Sequence, residues 1–311
     1  MRILKKIAFS AILAVVTVGS YAQQFPQISG YMFNSFMLNP AYAGFGSAIN
    51  VTALHRQQWY GFKGAPQVTI VSAESPLVVI NSGIGITMIN DILGIFKNTT
   101  LNLAYNYKFD IGDGQLSIGT AFGFRNIATK LEDAVPPTGI GDPVINDARE
   151  ASTFLFNLDA GLYYQMPDKF EVGVAMTDII AMKSKKIGYQ GARTLNVTGN
   201  YVFQIPGLNK MDFVPSVLLK TDFTAFQADI SLVGIYNKTV FGGLSYRLLD
   251  AVVFMAGATI KNVQFGISYD LATNKMIYAG KMAGGFEVWL RYSFKLSIDR
   301  NPKSTKNARY L

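Results

Sequence analysis

The sequence predicts an all-β fold, a transmembrane antiparallel β-barrel of about fourteen strands with a short N-terminal plug or helical segment. Three observations point there. Apolar and polar residues alternate with period two along most of the chain, no stretch beyond residue 22 reads as a membrane helix, and the first 22 residues have the form of an export signal. Half of the 311 residues are hydrophobic and 15% are charged, against roughly a quarter charged in an average soluble domain. A mean hydropathy of +0.22 excludes disorder, which requires low hydrophobicity and high net charge.

The N-terminus comes first. Arg2, Lys5 and Lys6 precede the apolar run 7–19, and Ser20 and Ala22 put small residues at both cleavage-determining positions. The competing reading is a short membrane anchor, for which the run is too short. Residues 1–22 are therefore expected to be a signal peptide cleaved after Ala22, which implies export.

Residues 23–46 follow. They hold no charge and have no strand period that would place their apolar side chains in lipid. Ile28, Tyr31, Met32, Ser35 and Phe36 suit a short helix after Pro26, ended by Asn39-Pro40. This segment is expected to fold into or against the barrel as a plug, with Trp59, Tyr60 and Phe62 framing that contact or the rim.

The barrel is assigned to 47–295. Strands are expected near 47–58, 66–74, 83–90, 97–109, 114–127, 152–166, 169–178, 191–204, 211–222, 224–236, 238–248, 250–260, 262–270 and 284–295. In the fifth, Leu116, Ile118, Phe122 and Phe124 form one face, opposite Gln115, Ser117, Gly119 and Arg125. In the last, Phe286, Val288, Leu290, Tyr292 and Phe294 oppose Glu287, Arg291 and Ser293. A soluble sandwich also alternates. The barrel is favoured because the apolar faces recur along the whole chain, aromatics gather near segment ends, and an export signal precedes them. The connections support the count: the longest, 128–151, 179–190 and 271–283, all follow odd-numbered strands, while the tight turns 110–114, 166–169, 237–238 and 261–262 follow even-numbered ones. With the N-terminus starting in the periplasm, the long connections face outside. Residues 296–311 remain as a basic periplasmic tail.

Chemistry is sparse. The chain has no cysteine and a single histidine, His55, which removes thiolate metal sites and almost all histidine-based catalysis. No nucleotide loop, zinc spacing or calcium-loop ligand ladder occurs, so no catalytic residue, metal or cofactor is expected and the chain does not read as an enzyme. Of the net charge of +8, +3 sits in 1–22 and +4 in 295–311, which leaves +1 between them. A near-neutral body lacks the basic face that nucleic acid requires.

Two segments are more specific than the alternation. Asn39-Pro40-Ala41-Tyr42-Ala43-Gly44 lies in the first, and Arg56-Gln57-Gln58-Trp59-Tyr60-Gly61-Phe62, followed by Gly64-Ala65-Pro66, forms the second. Together with the closing strand GGFEVWLRYSF at 284–294, they resemble the PorP/SprF family of outer-membrane proteins of the Bacteroidetes type IX secretion system, over essentially the whole mature chain. The basic tail beyond Phe294 departs from barrels that end at their last aromatic. The resemblance implies a non-enzymatic outer-membrane barrel that supports secretion or surface anchoring of cargo carrying a C-terminal sorting domain, gliding adhesins included. Its implied partners are that cargo and periplasmic components of the machinery, besides outer-membrane lipid. A second class stays open, a channel for small or hydrophobic solutes, because fatty-acid-transporter barrels also carry an N-terminal hatch with Asn-Pro-Ala. Partner binding is expected on the outer connections through apolar anchors at Ile179, Ile180, Met276, Ile277 and Tyr278, around the acidic loop 128–151. The alternative is that these loops only seal the mouth.

Overall fold

In the computed structural model the described residues are 26–60, 64–130, 150–184, 187, 189–208, 210–273 and 284–296. They contain seventeen strands. Fourteen build the wall: β1 (Ala48–Gln57), β2 (Gln67–Leu77), β3 (Ser82–Leu93), β4 (Phe96–Ile111), β5 (Gly114–Lys130), β6 (Glu150–Met166), β7 (Phe170–Thr177), β10 (Thr194–Tyr201), β12 (Met211–Thr221), β13 (Phe226–Tyr236), β14 (Val240–Arg247), β15 (Ala251–Ile260), β16 (Val263–Ala272) and β17 (Gly285–Lys295). Three are two-residue pieces: β8 (Lys183–Ser184) pairs with β9 (Tyr189–Gln190) in the connection after β7, and β11 (Phe203–Gln204) extends the partner of β12.

Every wall strand pairs antiparallel with both neighbours. The sheet passes from β7 through β10 to β12, and β17 returns to β1 with Ala48 opposite Lys295 and Gln57 opposite Phe286. Closure is what lipid demands, because a free strand edge would leave N–H and C=O groups without partners. The fourteen strands fall where the alternation predicts them, including both strands of the 66–90 hairpin. No helix among the described residues is long and apolar enough to cross a membrane.

The pleat separates two chemistries. Ile118, Phe122 and Phe124 of β5, Ile230 and Leu232 of β13, and Val288 and Leu290 of β17 are exposed on the outside, as a lipid-facing wall requires. Their strand neighbours Ser117, Asp229, Ser231 and Glu287 are buried on the inside. Exposed aromatics mark two bands. Tyr105, Tyr107, Phe109, Tyr201, Tyr236 and Tyr292 lie toward one end, and Phe124, Phe154, Phe156, Phe226 and Tyr269 toward the other, as at the two interfaces of a bilayer.

The ends differ in their connections. At one, 112–113, 167–169, 237–239 and 261–262 turn the chain tightly and 202–210 is the longest connection; at the other, the short turns 94–95, 222–225 and 248–250 lie among the longer 58–66, 131–149, 178–193 and 273–284. These are called below the tight-turn end and the long-connection end.

Residues 26–47 depart from the expected helix. They form three single 3-10 turns, Tyr31–Phe33, Ser35–Met37 and Pro40–Tyr42, and no α-helix. Asn34, with φ −148° and ψ 76°, breaks the first two apart. The cause is competition for backbone groups: wall side chains take the Ser29 and Gly30 N–H groups and the Phe33 carbonyl, so a continuous helical ladder has no claim on them.

Candidate functional site

The charges scattered along the strands converge. Arg56 of β1, Asp229 of β13, Arg247 of β14, Asp270 of β16 and Glu287 of β17 all project inward near the long-connection end, and all are buried. Arg56 pairs with the Asp270 carboxylate and stands 3.4 Å from Glu287. Arg247 donates from Nε to Asp229 at 3.1 Å and from Nη1 to Asp270 at 2.8 Å. Lys220 of β12 is also buried. Each buried guanidinium thus has two buried carboxylate partners, as burial of charge in a low dielectric requires.

The N-terminal segment enters this cluster through Ser29 and Gly30. Glu287 accepts both backbone N–H groups at 2.8 Å, one on each carboxylate oxygen. The Ser29 hydroxyl donates to Asp270 at 2.9 Å and accepts from Arg56 at 2.8 Å and Arg247 at 3.1 Å. A side chain on Gly30 would crowd Glu287 and the Trp289 ring, at 3.1 and 3.3 Å from its Cβ. One turn on, the Phe33 ring lies 4.4 Å from Phe241 and 5.3 Å from Trp289, centroid to centroid.

The second half of the segment is seated differently. Asn39 donates to the carbonyls of Leu162 at 2.9 Å and Val174 at 3.3 Å, while its Oδ1 caps the Pro40–Tyr42 turn at the Ala41 N–H. Asn106 of β4 donates to the carbonyls of Ala41 at 2.9 Å and Ala43 at 2.7 Å. Gly44 donates to Glu74 at 2.9 Å, and Lys108 holds its carbonyl. Beneath this half the wall carries Gly83, Gly85, Gly119 and Gly161; a Cβ on any of them would overlap Ala43, Phe36, Ala41 or Asn39 respectively. Gly83 and Gly119 thus floor a groove for the backbone of residues 40–43, and Gly85 leaves room for the Phe36 ring.

At the mouth, on the opposite wall, Arg125 of β5 pairs with Asp178 at 2.9 Å and donates to the Tyr189 hydroxyl at 2.8 Å and Thr100 at 3.1 Å. Burial pushes the Tyr189 phenol up, so it stays protonated. Tyr189 packs on Ile127 and Leu155. A cavity of about 90 Å³ opens beside it, lined by Pro26, Asp91, Asn98, Arg125 and Asp178.

The residues singled out from the sequence distribute as follows. Asn39, Pro40, Ala41, Ala43 and Gly44 are buried and Tyr42 nearly so. Arg56 is buried in the cluster, and Gln58 donates to Gln27 at 3.0 Å. The two quoted motifs therefore meet different halves of the segment. Trp59 and Tyr60 are exposed and belong to the rim, Tyr60 against Phe286, so they do not frame the segment. Gln57 is half-buried beside them. His55 bonds Thr69 at 2.9 Å on the rim side of β1. Ile179 is half-buried and Ile180 exposed. Gly61, Phe62, Met276, Ile277, Tyr278, most of loop 128–151, the signal segment 1–22 and the tail beyond 296 lie outside the described residues. Sequence reasoning missed Asp229, Arg247, Asp270 and Glu287. Among the described residues no group of three His, Cys, Asp or Glu side chains could hold a metal ion.

The family model of the Type IX secretion system membrane protein PorP/SprF matches residues 20–292. The chain belongs to this family. Membership makes this PorP/SprF protein an outer-membrane β-barrel associated with the secretion machinery, and not an enzyme. No curated protein sequence matches it. Among solved structures it is similar to the outer membrane protein Omp33 of Acinetobacter baumannii, at 9% identity and a TM-score of 0.45 over 81% of this chain and 100% of that one. It is also similar to a FadL homologue of Pseudomonas aeruginosa, at 11% identity and a TM-score of 0.44 over 87% and 95%. A third is a mutant of the monoaromatic hydrocarbon channel TodX, at 9% identity and a TM-score of 0.48 over 85% and 94%.

Proposed function

We propose that this PorP/SprF protein is a closed outer-membrane scaffold that supports secretion or surface anchoring of type IX cargo, with residues 23–46 as a plug in the barrel. Its parts are then a signal peptide (1–22), the plug, the barrel (47–295) and a basic periplasmic tail (296–311). The observation that supports the reading best is the set of contacts between residues 29–44 and β1, β2, β4, β6, β13, β14, β16 and β17. A barrel filled in this way offers little room for diffusion, so the work falls to its outer face. Cargo with a C-terminal sorting domain would dock on the long connections, where Ile179, Ile180, Met276, Ile277 and Tyr278 supply apolar anchors beside the acidic 128–151. Periplasmic components would meet the tight-turn end and the tail.

Affinity purification of the full chain from its native membrane in mild detergent tests this reading. Surface proteins with a sorting domain, or periplasmic secretion components, are expected to co-purify. Isolation of the barrel without either, together with steady conductance of the wild-type protein in planar bilayers, would instead mark a solute channel.

A further inference from the structure

The two halves of the N-terminal segment are held by different chemistry, and the difference has a direction. Residues 39–45 lie flush on a glycine-floored groove, fixed by Asn39, Asn106, Glu74 and Lys108, and run directly into β1. Ser29 and Gly30 meet the ionic cluster through polar groups, two N–H groups and one hydroxyl, while Ile28, Tyr31 and Phe33 pack beside them on the apolar wall around Phe241 and Trp289. A groove matched to backbone shape has no good alternative occupant. A charged wall does, because water can solvate the same carboxylates and guanidinium groups once the segment withdraws.

Glu287 shows the dependence. Within the wall its contact is Arg56 at 3.4 Å, whereas the segment supplies two N–H donors at 2.8 Å. Among the described residues of the segment, the Ser29 hydroxyl alone touches Arg56, Arg247 and Asp270 together. From this geometry we infer that Glu287, Asp270, Arg56 and Arg247 are a latch specific for the Ser29–Gly30 peptide unit, and that opening releases residues 26–33 while residues 39–45 stay seated. The break between the halves falls at Asn34, the residue that separates the first two 3-10 turns. The inference rests on the plug reading and adds to it which half moves and what holds it.

The full chain has no cysteine, so single thiols report on each half. Met32→Cys and Tyr42→Cys are labelled from the outer side with a membrane-impermeant maleimide, each alone and combined with Ser29→Ala, Ser29→Thr or Glu287→Gln. Conductance is recorded on the same proteins after heat-modifiable gel mobility shows that they have assembled. Loss of charge-assisted hydrogen bonds should speed labelling at Met32→Cys about ten- to hundred-fold in Ser29→Ala and Glu287→Gln. Tyr42→Cys should stay slow throughout, and Ser29→Thr, which keeps the hydroxyl, should resemble the parent. Equal acceleration at both positions overturns the half-release, and unchanged labelling at Met32→Cys overturns the latch. Deletion of 26–46 separates the two levels. If that deletion opens the barrel while Ser29→Ala and Glu287→Gln stay closed, the latch is wrong and the plug stands; if the deletion leaves conductance unchanged, the plug reading itself fails.

Discussion

Arg56 and Arg247 share one carboxylate: each donates to Oδ2 of Asp270, although 191 positions of sequence separate the two arginines. Asp270 thereby joins β1, β14 and β16 inside the barrel. Removing its charge should leave two buried guanidinium groups short of a partner. Asp270→Asn is expected to destabilise the barrel by about 3–5 kcal/mol, the cost of breaking a buried pair, read as a lower temperature for the heat-modifiable gel shift. Asp250→Asn provides the comparison. Its carboxylate is 41% exposed and 3.6 Å from Arg247, so its loss should cost no more than about 1 kcal/mol. Equal effects from the two substitutions would show that the cluster does not act as a buried network.

Asn106 makes a second test of the segment's seat. Its amide satisfies the carbonyls of Ala41 and Ala43 at once. Asn106→Ala should leave both buried carbonyls short of a donor and cost on the order of 1–3 kcal/mol. Because the contact is with the segment, limited proteolysis should cleave residues 26–46 sooner in Asn106→Ala, while the wall strands keep their protection. A proteolytic pattern identical to the parent's would contradict the assignment.

The wall was legible in the sequence and the cluster was not, for a physical reason. Period-two alternation is local, so strands such as Gly114–Lys130 and Gly285–Lys295 declare themselves within a dozen residues. Asp229, Arg247, Asp270 and Glu287 each stand alone on a polar strand face, as ordinary lumen charges do. Only the strand register makes them neighbours: the β13–β14 hairpin sets Asp229 opposite Arg247, and closure sets Arg56 opposite Glu287. One signal was available: all five lie on inward positions within four residues of the same end of their strands. The helix expected from Ile28, Tyr31, Met32, Ser35 and Phe36 failed for the complementary reason. Its backbone donors and acceptors are claimed by Glu287 and Arg291, which sequence spacing does not reveal. The Asn39–Gly44 motif was visible as a resemblance, and its chemistry emerged only with the glycine floor beneath it.

That floor allows a steric test that leaves charge alone. Gly161 of β6 lies under the Asn39 side chain, where a Cβ would overlap it, whereas a Cβ on outward-facing Gly242 meets nothing closer than the Met255 carbonyl at 3.8 Å. Gly161→Val is expected to lift residues 39–41 from the groove, producing conductance in planar bilayers from a barrel that still assembles. Gly242→Ala should match the parent in both conductance and assembly. A silent Gly161→Val barrel would mean that this half of the segment does not close the lumen.

The acidic connection 131–149 offers a test of docking at the long-connection end. The β5–β6 pair remains in register to Lys130 opposite Glu150, so a tight turn can replace 131–149 without altering the wall. That replacement removes Glu132, Asp133, Asp142 and Asp147 together with Pro136, Pro137 and Pro143, a stiffened acidic surface on the long-connection end. The lysines of the neighbouring connection, Lys183, Lys185 and Lys186, would lose their acidic counterpart, and approach of a partner with mixed charge would lose its steering. Display of sorting-domain cargo on intact cells is expected to fall at least several-fold, while heat-modifiable mobility stays that of the parent. Salt gives the same contrast within one protein: raising ionic strength toward 1 M shortens the screening length to about 3 Å, so capture of cargo by the parent should slow while capture by the shortened variant changes little. Wild-type display from the shortened barrel would remove 131–149 as the docking surface and leave the connections holding Ile179, Ile180, Met276, Ile277 and Tyr278 to supply it.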